Sequence, residues 1–297
     1  TGQRIGHSPT DLRSKISITL ENLLALHKLK LSTSKPPPST EIPPELVPFL
    51  EYVQNLFNAT QLNHQITKFK ELIKKVYKLL KNIHLFPINC PNQDDLATRL
   101  QGYSIDDLKS WNQAWNEWYT LLDTQRIYSC QDSDLINKLI AQDKTTYNEF
   151  CTIYRLVKKE GNWLEWYVFW VLKQAYPTDN ILCNVHVEDD SSQLFELDIL
   201  WLHGYQLIAI SCSCSTSKND QKIKGYEVAL RGQQIGGDEA RSVVVLSGVT
   251  TENTKSNLEK KLTSLTNSPQ GNIHVLGQAE LQFDQLKSKF NKWIIKQ

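Results

Sequence analysis

The sequence contains no methionine, not even an initiator, where several would be usual in 297 residues. It is therefore expected to be part of a longer protein that begins earlier. Cysteine is sparse and unpatterned: Cys90, Cys130, Cys151, Cys183, Cys212 and Cys214 are scattered, with no CxxC. Neither a disulfide framework nor a zinc site is indicated, and a reducing cytoplasm is the expected compartment. No apolar run approaches the roughly 18 residues that a membrane-spanning helix needs. The opening Thr1-Gly2-Gln3-Arg4 lacks the apolar stretch of a signal peptide. Nor does one sign of charge dominate, since 33 Lys and Arg face 32 Asp and Glu for a net +1. That excludes a globally basic nucleic-acid binder and an acidic disordered tail. Any nucleic-acid surface must be a local patch.

What is present suits ordinary globular cores. The chain is 40% hydrophobic with 8 Trp, 11 Tyr and 9 Phe, enough for roughly two domains of about 150 residues each. The first half reads as helical. A helix is expected over 16–31 from Ile16, Leu20, Leu23, Leu24 and Leu31. The stretch 32–44, with Pro36-Pro37-Pro38 and Pro43-Pro44, reads as a stiff exposed linker. Helices follow over 45–57 and 61–83. In the second, Lys68, Lys70, Lys74, Lys75, Lys78 and Lys81 surround an apolar stripe, read as a solvated face rather than a phosphate contact. A short helix is expected over 95–100. Another over 104–122 carries Trp111, Trp115, Trp118 and Leu122 on one side, read as core packing rather than a base-stacking surface.

From about Glu149 the texture changes. Helices are expected over 150–158 and 163–175, the second capped by Asn162. Strands follow over 181–187, 194–202 and 206–212, with a tight turn at His203-Gly204-Tyr205. Helix 223–235 stops at Gly236-Gly237. Strand 242–247, helix 252–265, strand 272–275 and helix 279–295 complete an α/β pattern, a mixed sheet covered by helices.

Carboxylates mark the candidate chemistry. Glu165 lies on helix 163–175. On strand 194–202, alternation puts Glu196 and Asp198 on one face and Phe195, Leu197 and Ile199 on the other. Acidic pairs in apolar surroundings are costly unless paired or bound to a cation, and oxygen ligands suit Mg²⁺ or Mn²⁺. Lys224, Glu227, Arg231, Gln234 and Asp238 form one polar line on the next helix, which could equally be a solvated face laced by a Glu227–Arg231 pair. A thiol mechanism at Cys214 would need a histidine base, and only His186 and His203 lie on neighbouring strands. The better reading is that Cys212 and Cys214 are small buried residues.

Four segments together carry a resemblance: Gly161-Asn162-Trp163-Leu164-Glu165, Glu196-Leu197-Asp198, Ile210-Ser211-Cys212-Ser213, and Gly236-Gly237-Asp238-Glu239-Ala240-Arg241. The set resembles the restriction-endonuclease-like PD-(D/E)xK domain of CRISPR-associated nucleases, in which a CARF sensor domain precedes the nuclease. The resemblance spans roughly the last 140 residues. It implies a restriction-endonuclease-like domain over 155–297, and over 1–154 a helical connector, winged-helix-like in part, with the sensor itself absent from this chain. It also implies a metal-dependent nuclease acting on DNA or RNA in antiviral defence, working as a homodimer and switched by a cyclic oligoadenylate. Glu165, Asp198 and the Cys212 backbone carbonyl would hold the divalent ion. The chain departs from the family where Ser211 and Ser213 stand in place of an acid and a lysine. Either Glu196 replaces the acid and Lys224 or Arg231, with Gln234 nearby, supplies the polar groups, or the domain is catalytically silent and binds nucleic acid or a partner.

Overall fold

The computed structural model describes residues 19–58, 62–82, 93–101, 113, 135–157, 161–269 and 271–295. Among them run helices α1 (Leu20–Leu26), α2 (Val47–Asn58), α3 (Leu62–Asn82), α4 (Gln93–Gln101), α5 (Leu135–Ile140), α6 (Lys144–Val157) and α7 (Asn162–Ala175). The sheet strands are β1 (Leu29–Leu31), β2 (Asn180–Asp189), β3 (Leu194–His203), β4 (Gln206–Ser213), β5 (Arg241–Leu246) and β6 (Ile273–Leu276). Three further helices cover it: α8 (Lys218–Gly236), α9 (Glu252–Thr266) and α10 (Phe283–Ile295). The α/β architecture and the mixed sheet flanked by helices are as expected from the sequence.

Strand order follows chain order, β1 to β6. The first three pairings are antiparallel, and β4–β5 and β5–β6 are parallel. Antiparallel neighbours can be joined by a tight turn, whereas parallel ones need a crossover, here supplied by α8 and α9. The β3–β4 turn has Gly204 at φ +58°, and α8 stops at Gly237 with φ +63°. Both are backbone conformations that glycine adopts without a Cβ penalty.

Two cores sandwich the sheet. On one side α2, α3, α6, α7 and α10 bury Phe49, Phe69, Tyr154, Trp163, Trp201 and Phe290. On the other, α1, α8 and α9 bury Leu24, Val228, Leu258 and Leu262 against β4 and β5. The sequence Asn162–Leu172 is buried throughout, because a helix apolar on every side can only sit between other layers. Its first core joins residues from both sides of position 154 without interruption.

Several expectations are corrected. The helix expected over 16–31 ends at Leu26, and Leu29–Leu31 pair antiparallel with β2 as an edge strand. The Pro-rich stretch is not simply an exposed linker: Ser32 N donates to the His186 carbonyl, and Ser39 bridges Cys183. Asn162 is the first helical residue rather than the cap, its amide donating to the Arg155 carbonyl at 3.1 Å. The last helix is preceded by a separate 3₁₀ turn, Gln278–Leu281. Cys151 is disulfide-bonded, where scattered cysteines suggested no bridge. The tryptophan-striped segment 104–122 falls outside the described residues, apart from 113.

Strand alternation also fails at one place. Leu197 packs in the α8–α9 core while Ile199 packs in the α7 core, and Cys183 and Val185 divide the same way on β2. Residues two apart on a regular strand share a face, so both strands turn over between these positions. Asn184, which the register skips between Cys183↔Ile199 and Val185↔Leu197, has φ +56°. That left-handed residue rotates β2 at the point where β3 also inverts.

Candidate active site

The site is built at the exit ends of β4 and β5, where α3, α7 and α8 surround a cleft of about 710 Å³. Helix α7 delivers Glu165 one turn in from its start, and the side chain is buried. The start of the helix lies against β4: a Cβ added to Gly161 would stand 4.0 Å from the Cys212 carbonyl oxygen. Glu165 and the Cys212 segment both line the cleft.

Asp198 approaches from beneath. It is buried on β3 and does not itself line the cleft. Its Oδ2 accepts the Cys212 amide N–H at 2.7 Å and the Ser211 hydroxyl at 2.9 Å. The strand inversion at Asn184 turns this carboxylate toward β4. The Cys212 thiol is pushed far up by burial, then by the charges of Asp198 and Glu165. Cys212 is thus a buried thiol, as expected, whereas Cys214 is only half-buried and lines the cleft.

The cations come partly from an unexpected element. Lys224 of α8 lines the cleft as anticipated, joined by Lys70 and Lys74 of α3. The lysine-rich helix is therefore not a uniformly solvated face. Lys70 is half-buried and donates to the Ser247 carbonyl and to Gln278 Oε1. Burial lowers its pKa, against a smaller upward pull from Cys214. No pattern in the sequence separates Lys70 from Lys68 or Lys74; only its register against Ser247 does. Acidic Glu71 and Asp220 share the wall, and Asp220 accepts from the Ser215 hydroxyl at 2.8 Å. The Ser247 hydroxyl, fully buried at the cleft, has no hydrogen-bond partner among the described residues.

Other residues of the expected site lie elsewhere. Glu196 faces His186 across the strands, Oε2 to Nε2 at 3.9 Å, and is outside the cleft wall. It does not share Asp198's surroundings, because the strand turns over between Leu197 and Ile199. Arg231 stacks on Phe195 at 4.5 Å and donates to Gln234 Oε1 at 2.8 Å. Both sit near the far end of α8, two turns beyond Lys224, so the polar line along this helix serves two separate places. Asp238 is exposed beyond the helix end. His203 binds Asp179 at 2.5 Å at the opposite end of β4 from Cys214, too far to serve it as a base. Among the described residues, no group of three His, Cys, Asp or Glu side chains is arranged to hold a metal ion.

No family model matches the chain, and no curated protein is similar to it in sequence. Solved structures are similar in fold. Protein VC1899 from Vibrio cholerae matches at TM-score 0.51 and 14% identity, over 93% of this chain and 61% of that one. Can2 from Sulfobacillus thermosulfidooxidans, solved in complex with cyclic tetra-adenylate, matches at TM-score 0.46 and 17% identity over the same shares. The chain thus spans about 61% of the length of each. No helix among the described residues is long and apolar enough to cross a membrane.

Proposed function

We propose that this chain carries the catalytic part of a CRISPR-associated, metal-dependent nuclease that hydrolyses phosphodiester bonds of DNA or RNA. The observation that carries the reading is that Glu165, buried on α7, lines a lysine-bearing cleft together with the Cys212 segment, to which the buried Asp198 is hydrogen-bonded. Mg²⁺ and Mn²⁺ fit, because such ions use one or two carboxylates and complete their shell with water and phosphate oxygens. A trio of acidic ligands is therefore not required.

Glu165 and Asp198, with the Cys212 carbonyl, would hold the ion, which when bound supplies Lewis-acid polarisation of a phosphodiester. The protein's own groups do the rest. Lys224 and Lys74 offer positive charge to the phosphate backbone. Lys70, tied to Ser247 and Gln278, fixes α3 against the end of β5. The Ser211 hydroxyl and Cys212 amide hold the Asp198 carboxylate in one orientation. A cyclic oligoadenylate would switch the protein, working as a homodimer.

A second reading is favoured by Ser211. Its hydroxyl occupies an Asp198 oxygen that a metal would otherwise take, and it stands where the resembled family has an acid. On that reading the domain binds nucleic acid without cutting it. Incubation of the purified chain with end-labelled single-stranded DNA and RNA plus Mn²⁺ decides between them. Cleavage lost in Glu165→Gln and Asp198→Asn supports the nuclease. Binding without cleavage supports the silent module, and cleavage indifferent to both substitutions overturns the site.

A further inference from the structure

Helix α8 has a second edge. One side, with Asp220 and Lys224, faces the cleft. The other meets α9 around a separate pocket of about 170 Å³, lined by Lys218, Gln221, Lys222, Thr254, Asn257 and Lys261 along with Leu258. The wall holds three lysines and no acid. Nearby carboxylates are committed elsewhere: Asp220 to the Ser215 hydroxyl, Glu252 to Lys255, and Glu259 to the Val275 amide. None of the three lysines has an ion-pair partner among the described residues. The pocket lies between the first turns of α8 and the first three turns of α9.

Aromatic and apolar surface continues from the pocket. Lys218, Lys222 and Tyr226 recur at i, i+4 and i+8, which places them on one side of α8. Tyr226 is 45% exposed and neighbouring Ile223 57% exposed. Lysines tracking a backbone beside an exposed ring are what a single strand of nucleic acid requires, since its phosphates want cations and its bases a flat apolar face.

We propose that Lys218, Lys222 and Lys261 form a phosphate-binding track, with Tyr226 as a stacking platform, that holds a nucleic-acid strand leaving the cleft across the first turns of α8. The inference rests on the reading of the cleft as a nucleic-acid site. It explains how a chain of near-zero net charge grips a polyanion: by a local, unopposed cluster.

The test is fluorescence anisotropy of a fluorescein-labelled oligothymidylate bound to the full chain over a range of KCl. The variant Lys218→Gln/Lys222→Gln/Lys261→Gln should bind at least tenfold more weakly, and its log–log salt slope should shrink by about two, since each lost single-strand phosphate contact removes about 0.7. Tyr226→Ala should weaken binding while leaving the slope unchanged. Wild-type binding with an unaltered triple variant overturns the track and leaves the cleft reading standing. No binding by the wild type to this probe or to its RNA counterpart overturns both.

Discussion

Ser211 Oγ donates to Asp198 Oδ2 at 2.9 Å across the β3–β4 pair, both groups buried. The hydroxyl thus does for the carboxylate what solvent cannot. Ser211→Ala should cost about 1 kcal/mol, the net worth of such a bond when the Cys212 amide still serves the same oxygen. Urea denaturation of both proteins gives the difference directly. If Asp198 is also a metal ligand, the same substitution should raise rather than lower the apparent affinity for Mn²⁺, measured by calorimetry.

Asp198→Asn and Glu165→Gln should each reduce Mn²⁺-dependent cleavage at least a hundredfold while leaving oligonucleotide binding within a few-fold of wild type. Cleavage gels and anisotropy on the same preparations separate the two effects. Loss of binding in step with cleavage would mean the acids act in folding rather than chemistry.

Gly225 of α8 packs against Leu262 of α9. A Cβ there would lie 2.4 Å from Leu262 Cδ1, and Leu262 is completely buried. Gly225→Ala should therefore destabilise the protein by about 1–3 kcal/mol through overpacking, seen as a lower midpoint in chemical denaturation.

Alkaline pH should unfold the chain. Burial pushes the Tyr52 phenol up to about 12, and burial with the nearby Asp179 charge does the same to Tyr176. Tyr167 is raised further by burial alone. These phenols ionise near 10.0 when unfolded, so stability is complete below that pH and falls as pH rises toward 12. The unfolded chain binds fewer protons across that window, which gives the negative slope. Lys70 works the other way, its lowered pKa making stability rise with pH up to 10.5. Melting temperatures across this range, with phenolate absorbance as the second readout, should show the tyrosines prevailing.

Much of this was legible in the residues. The runs 181–187, 194–202 and 206–212 are rich in Ile, Leu and Val between turn residues, and all became strands because both sheet faces are covered. β1 escaped notice because Leu29, Lys30 and Leu31 continue an apolar spacing that also fits α1; only pairing with β2 makes them a strand. The pairing of Glu196 with Asp198 failed for a different reason. Period-two alternation assumes an uninterrupted strand, and nothing in the letters Cys183-Asn184-Val185 announces a left-handed residue. Lys70 was invisible because a lysine among lysines on an amphipathic helix is ordinarily wet.

The edge pairing of Leu29–Leu31 with β2 bears on how the molecule can be dissected. Excising residues 155–297 as a minimal fragment would strip a neighbour from β2 and bare its unsatisfied amides, an invitation to self-association. It would also peel α2, α3 and α6 from the aromatic surface of α7, and take Lys70 with them. A shortened version that precipitates would be reporting the loss of its own shielding segments, not a failure of the sheet to fold.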